Sequence, residues 1–171
     1  LGVLGALYSL IINGANQLVN PFLVDRFSIN LATAGYIATI LGLGTMVGGL
    51  IGGSITDRIG QEKSVQAAVV ASLIGVGMLP FISARWMAWL LVFIFGFSFG
   101  FYETIYFAIS MRLTDGRIAA TMFSILMAVA NIGTGIGLGL TGFLSDIAGF
   151  TTTFFILAAL NFLALPLIGV F

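Results

Sequence analysis

The sequence predicts an all-α polytopic membrane protein, with six transmembrane helices arranged as two inverted three-helix repeats. Three observations carry this. Of the 171 residues, 60% are hydrophobic and 7% charged, and mean hydropathy is +1.18, against roughly 25% charged residues in an ordinary soluble domain. The apolar runs are continuous over the roughly 20 residues a membrane-spanning helix needs, whereas a membrane β-barrel alternates polar and apolar over segments of about ten. Finally, Gly53-Ser-Ile-Thr-Asp57-Arg58-Ile-Gly60 and Gly142-Phe-Leu-Ser-Asp146-Ile-Ala-Gly149 share one pattern, Gly-x-x-x-Asp-x-x-Gly, 89 residues apart. Duplication inside so apolar a chain points to a transporter.

Breaks at charged, proline and polar clusters place the spans at about 1 to 24, 31 to 56, 64 to 84, 86 to 111, 118 to 144 and 150 to 171. In the first helix, Ser9, Asn13, Asn16, Gln17 and Asn20 fall within a wedge of about 100° at the helical advance per residue. Unpaired amides cost several kcal/mol in hydrocarbon, so this stripe faces protein or a water-filled cavity. Four carboxamides on one stripe exceed what interhelical hydrogen bonding needs, which favours the cavity. The second helix carries Gly44, Gly48 and Gly52, a spacing that lets backbones approach closely. Static packing within the bundle and sliding against another bundle both use such a face. The third helix, with little beyond Gln66 and Ser72, is expected to face lipid.

The fourth helix opens on Arg85, Trp86 and Trp89, an interfacial anchor. It then carries Ser98, Tyr102, Glu103, Tyr106 and Ser110 within about 140°. Thr114-Asp-Gly-Arg117 reads as a turn before the fifth helix. That helix has Gly133 and Gly137 together with Gly135 and Gly139, and Ser124 and Asn131 are placed to reach the cavity. The sixth, with Asn161, resembles the third in its polarity and is expected to face lipid too.

The two units are residues 1–84 and 85–171, and because three is odd the second enters the membrane from the opposite side. Arg58, Lys63, Arg112 and Arg117 fall in one set of connections, and Arg26 and Arg85 in the other. The richer set is expected to be cytoplasmic, which puts both termini there, in a plasma (inner) membrane. Leu1 in place of Met, and no charged flank before the first span, suggest a segment of a longer protein. With no Cys and no His, there is no disulfide framework, no thiol chemistry and no imidazole ligand, and no cofactor or metal is expected. Zero net charge without a basic tract argues against nucleic acid.

Glu103 is the one ionisable residue placed well inside a span, about 6 Å past the middle of its helix toward the cytoplasmic side. That makes it the strongest site candidate. It reads as a proton-carrying acid, as a counter-ion for a cationic substrate or for a base in a partner half, or as a neutral hydrogen-bonder. Tyr102 and Tyr106 flank the same face and are placed to donate to it or to stack on a ligand. Asp57, Glu103 and Asp146 lie at different depths, so no paired carboxylates and no enzyme are expected.

Gly53-Ser-Ile-Thr-Asp57-Arg58-Ile-Gly60-Gln-Glu-Lys63 resembles the cytoplasmic loop motif of the major facilitator superfamily, although Gln61 and Glu62 stand where that motif usually has basic residues. The resemblance implies a six-helix half of a transporter of small-molecule substrates, facing a second six-helix bundle in the bilayer. It implies first and fourth helices lining the cavity, and alternating access by rocking of the bundles. By the same resemblance Asp57 would face a helix amino end in the partner bundle, latching the cytoplasmic side with Arg58 and Lys63. The lack of an Arg ahead of Gly96 and Gly100, and of proline in the fifth helix, favours the carboxy-terminal half. A self-contained six-helix channel or scaffold acting as an oligomer is the alternative.

Overall fold

In hydrocarbon a backbone has no hydrogen-bond partner but itself, and continuous apolar runs answer with helices. A computed structural model describes residues 2–114, 116–164 and 166, with Leu31 described by its main chain alone. The helices are α1 (Gly2–Phe27), α2 (Leu31–Ile59), α3 (Gln61–Met78), α4 (Arg85–Arg112) and α5 (Ala119–Leu160), with 3-10 turns at Leu79–Phe81 and Asn161–Ala164. Among the described residues there is no strand, and five helical stretches are long and apolar enough to cross a membrane. Asn30 caps α2, its side chain accepting from the Thr33 N–H at 2.8 Å.

The expected fifth and sixth helices run together as α5, helical throughout except at Gly149, where φ is 77° and ψ 165°. A straight helix of 42 residues would be about 63 Å long, twice the roughly 30 Å hydrocarbon core. Gly149 breaks it into arms of residues 119–148 and 150–160. Gly60, between α2 and α3, has nearly the same backbone, φ 82° and ψ 175°, a conformation open only to glycine at low cost. Each is the closing glycine of the repeated pattern. In each case the residue four positions on donates a hydroxyl to the glycine carbonyl, Ser64 at 2.6 Å and Thr153 at 2.8 Å. The repeated pattern is thus a helix-breaking corner, built twice.

α2 lies chiefly on α4, and α1 chiefly on α5. Both pairs run parallel with backbones in contact. A Cβ at Gly44, Gly48 or Gly52 would run into the backbone of Phe93, Phe97 or Phe101 in turn. Gly133 and Gly137 abut Ala6 and Leu10 in the same way, and Gly14 abuts the Thr141 methyl. Gly135, Gly139 and Gly142 have open space where a Cβ would stand. The core lies among α1, α3, α4 and the second arm of α5, with Ile12, Val76, Phe95, Phe154 and Leu157 fully buried.

The third helix differs from the expectation of a lipid-facing element. Half of the most apolar window of α3 is buried, against 17% for α2. The reason is local: Gly75 admits the Ser98 side chain of α4, and Val65, Ala68, Val69 and Val76 follow it inward. Among the large apolar side chains of α3, only Val70 and Ile74 are exposed. α2 seats just its glycine edge and leaves Tyr36, Met46 and Leu50 exposed.

The basic residues sort to opposite ends. Arg112 Nη2 donates to Asp57 Oδ1 at 2.7 Å, joining the carboxyl ends of α4 and α2. Arg85 Nη2 donates to the Phe27 carbonyl at 2.8 Å, joining the start of α4 to the end of α1.

Candidate functional site

Among the described residues, two cavities are lined by the polar side chains of α1. The smaller, about 220 Å³, lies among α1, α4 and α5 and is lined by Tyr8, Asn13, Glu103, Tyr106, Asn131 and Thr134, with Phe107 and Met127 among its apolar walls. Asn13 Nδ2 donates to Thr134 Oγ1 at 3.3 Å, tying α1 to α5 at the cavity wall. Glu103 makes no hydrogen bond or ion pair among the described residues, and every Lys and Arg of the chain lies at a helix end or in a connection. Its carboxyl therefore faces the cavity with no counter-charge among the described residues.

Tyr102 sits behind that wall rather than on it: 3% exposed, it stacks on Tyr8 with ring centroids 4.5 Å apart and planes 9° apart. The Tyr8 hydroxyl is buried without a hydrogen-bond partner. Ser98 and Ser110 are structural, donating at 3.0 and 2.7 Å to the Ile94 and Tyr106 carbonyls one turn earlier. Ser124 likewise bonds back to the Ala120 carbonyl.

The larger cavity, about 430 Å³, lies between α1 and α2 and is lined by Asn16, Gln17, Asn20, Pro21, Ala38 and Leu41 among others. Among the described residues, no charged one lines it. Pro21 has no N–H to offer the Gln17 carbonyl, so this turn leaves a main-chain acceptor beside three side-chain amides. The carboxamide stripe of α1 thus divides, Asn13 serving the cavity with the acid and Asn16, Gln17 and Asn20 the neutral one.

A family model described as Major Facilitator Superfamily matches residues 1–171, the whole chain. The chain belongs to that superfamily. No curated protein matches it. As a major facilitator protein with membrane-length helices, it is an integral membrane protein of small-molecule transport, in a family that is generally non-enzymatic. The stretch that resembles the superfamily's loop motif forms the corner between α2 and α3. Gly53 approaches only the Thr104 methyl, at 3.6 Å for an added Cβ, Gly60 makes the break, and Arg58 and Lys63 are exposed. Asp57 is engaged within its own bundle, by Arg112.

Arg112, Tyr8 and Thr134 join the site without being singled out by sequence pattern. Thr134 follows Asn131 by three residues, one helical step on the same face, which is a usable signal. Tyr8 adjoins Ser9 and is hidden by its apolar character. Arg112 is 55 residues from Asp57, and no local spacing connects them. Asp115, of the turn before α5, lies outside the described residues.

Proposed function

We propose that this chain is one six-helix bundle, the carboxy-terminal half, of a secondary-active transporter. It moves a small solute by alternating access against a second bundle, with proton coupling through Glu103. The observation that carries this is the cavity where α1, α4 and α5 bring an unpaired carboxyl together with Asn13, Tyr106 and Asn131. A carboxyl kept within apolar spans without an ion pair is the pattern of a transport or proton site.

Two matched corners at Gly60 and Gly149 support the reading of α5 as two spans, and hence of inverted repeats 1–84 and 85–171. The parallel glycine contacts of α2 on α4 and of α5 on α1 support it further. The cluster of Arg58, Lys63 and Arg112 near the Asp57 corner favours that end as cytoplasmic, with both termini there and the plasma (inner) membrane as the location. At this corner Asp57, held by Arg112, forms the cytoplasmic latch against the partner bundle.

The test is reciprocal accessibility in the full-length protein. Single cysteines replace Ala38, at the outer cavity, and Ala120, near the opposite end, and are labelled with a membrane-impermeant maleimide. Conditions that raise labelling at one are expected to lower it at the other. Labelling that varies independently at the two positions overturns alternating access and leaves a channel or scaffold.

A further inference from the structure

The two cavities can be compared position by position, because the helices around them pack in matching register. Residues 93, 97 and 101 of α4 meet 44, 48 and 52 of α2, as 6, 10 and 14 of α1 meet 133, 137 and 141 of α5. Extended along the helices, this register sets Asn16 against Glu103, Val19 against Tyr106, Asn20 against Phe107 and Ala38 against Met127. Both members of each pair line their own cavity. The cavities are equivalent places in the two units with different linings.

Where one has two carboxamides, a valine and an alanine, the other has a carboxylate, two aromatic rings and a thioether. The four differences share one chemistry. A carboxylate supplies full negative charge, ring faces attract an ammonium within about 6 Å, and a thioether is polarizable and adaptable in shape. No Lys or Arg lines this cavity, and the chain has no His. An anionic solute would meet no counter-charge there, and a neutral one would leave the carboxyl to a proton, whereas a cation pairs with it and displaces the proton that Glu103 otherwise carries.

We propose that the solute taken at the Glu103 cavity is a small organic cation, an ammonium compound, with Glu103 as its counter-ion, the part-exposed Phe107 as its aromatic wall and the buried Tyr106 backing it. The proposal rests on the transporter reading above and adds the chemical class of solute. The amide-lined cavity is the uncharged counterpart of the same place.

The experiment titrates choline, tetramethylammonium and methylammonium by calorimetry onto the full-length protein in nanodiscs, beside 3,3-dimethyl-1-butanol, the uncharged carbon isostere of choline. At least one cation binds saturably, and choline, if it is the one, exceeds its isostere by roughly tenfold or more. Glu103→Gln loses roughly tenfold or more in cation affinity, while Glu103→Asp keeps the preference for charge. Choline and isostere bound equally, a cation bound by Glu103→Gln as by the wild type, or no cation bound saturably, each overturns the proposal. The wild-type titrations need no variant, so misfolding of Glu103→Gln does not remove the test. The reciprocal cysteine labelling is run without solute: absent cation binding with labelling intact removes this proposal alone, and loss of reciprocity removes the transporter reading.

Discussion

At the scale of single residues, magnitudes separate groups that hold the fold from groups that serve the cycle. The Arg112–Asp57 pair is short, but its side chains are 45% and 73% exposed, and such pairs contribute about 0–1 kcal/mol. Asp57→Asn is therefore expected to leave the unfolding temperature nearly unchanged while shifting the ratio of labelling at the Ala38 and Ala120 positions. A ratio unchanged in this variant counts against the latch. For Glu103, the Gln variant cannot release a proton, so uptake driven by a pH gradient is expected to disappear, while solute exchange at equal pH persists once solute concentration is raised to offset the weaker binding. Undiminished uphill uptake in the variant would remove the coupling role. Glu103 was legible in the sequence because one charge stands out in a long apolar run. Arg112 was not, since its part depends on a partner that only the packing of α2 on α4 supplies.

Among the elements, the glycines sort by what faces them. A Cβ at Gly48 or Gly137 would meet a neighbouring carbonyl, so Gly48→Ala is expected to cost about 1–3 kcal/mol through overpacking. Gly139→Ala, with open space before it, is expected to leave stability unchanged. The two variants are compared by thermal unfolding in detergent, and equal shifts would refute the close-packing account. Gly149→Ala meets no neighbour either, yet it must hold a positive φ, at a cost of about 1–3 kcal/mol. Spacing of four was visible in the sequence for Gly133 and Gly137 and equally for Gly135 and Gly139. It could not say which pair another helix covers, because both stripes have the same period and differ only in the neighbour. Burial of α3 escaped the sequence for a similar reason: polarity is low on its buried and exposed faces alike, so nothing in the pattern marks which side meets protein.

For the molecule as a whole, composition and run length made the membrane class and most helix positions legible. The join between the last two helices was harder, because Phe150 and Thr151 continue an apolar helical pattern and only the backbone of Gly149 marks the corner. Packing is interleaved: α1 rests on α5 and α2 on α4, so residues 1–84 and 85–171 each lean on the other. Expressed apart, the two pieces are expected to be degraded, and expressed together, to restore a protease-resistant bundle seen on gels. Resistance of residues 1–84 alone would contradict this. The same interleaving sets an order in time. α1 leaves the ribosome before α5, with its carboxamides bare, and the helix carrying Thr134, which receives the Asn13 hydrogen bond, is made more than a hundred residues later. At about 5–20 residues per second the delay is roughly 5–20 s. Throughout that interval the insertion machinery, or bound water, must shelter a polar stripe that the finished protein shelters for itself.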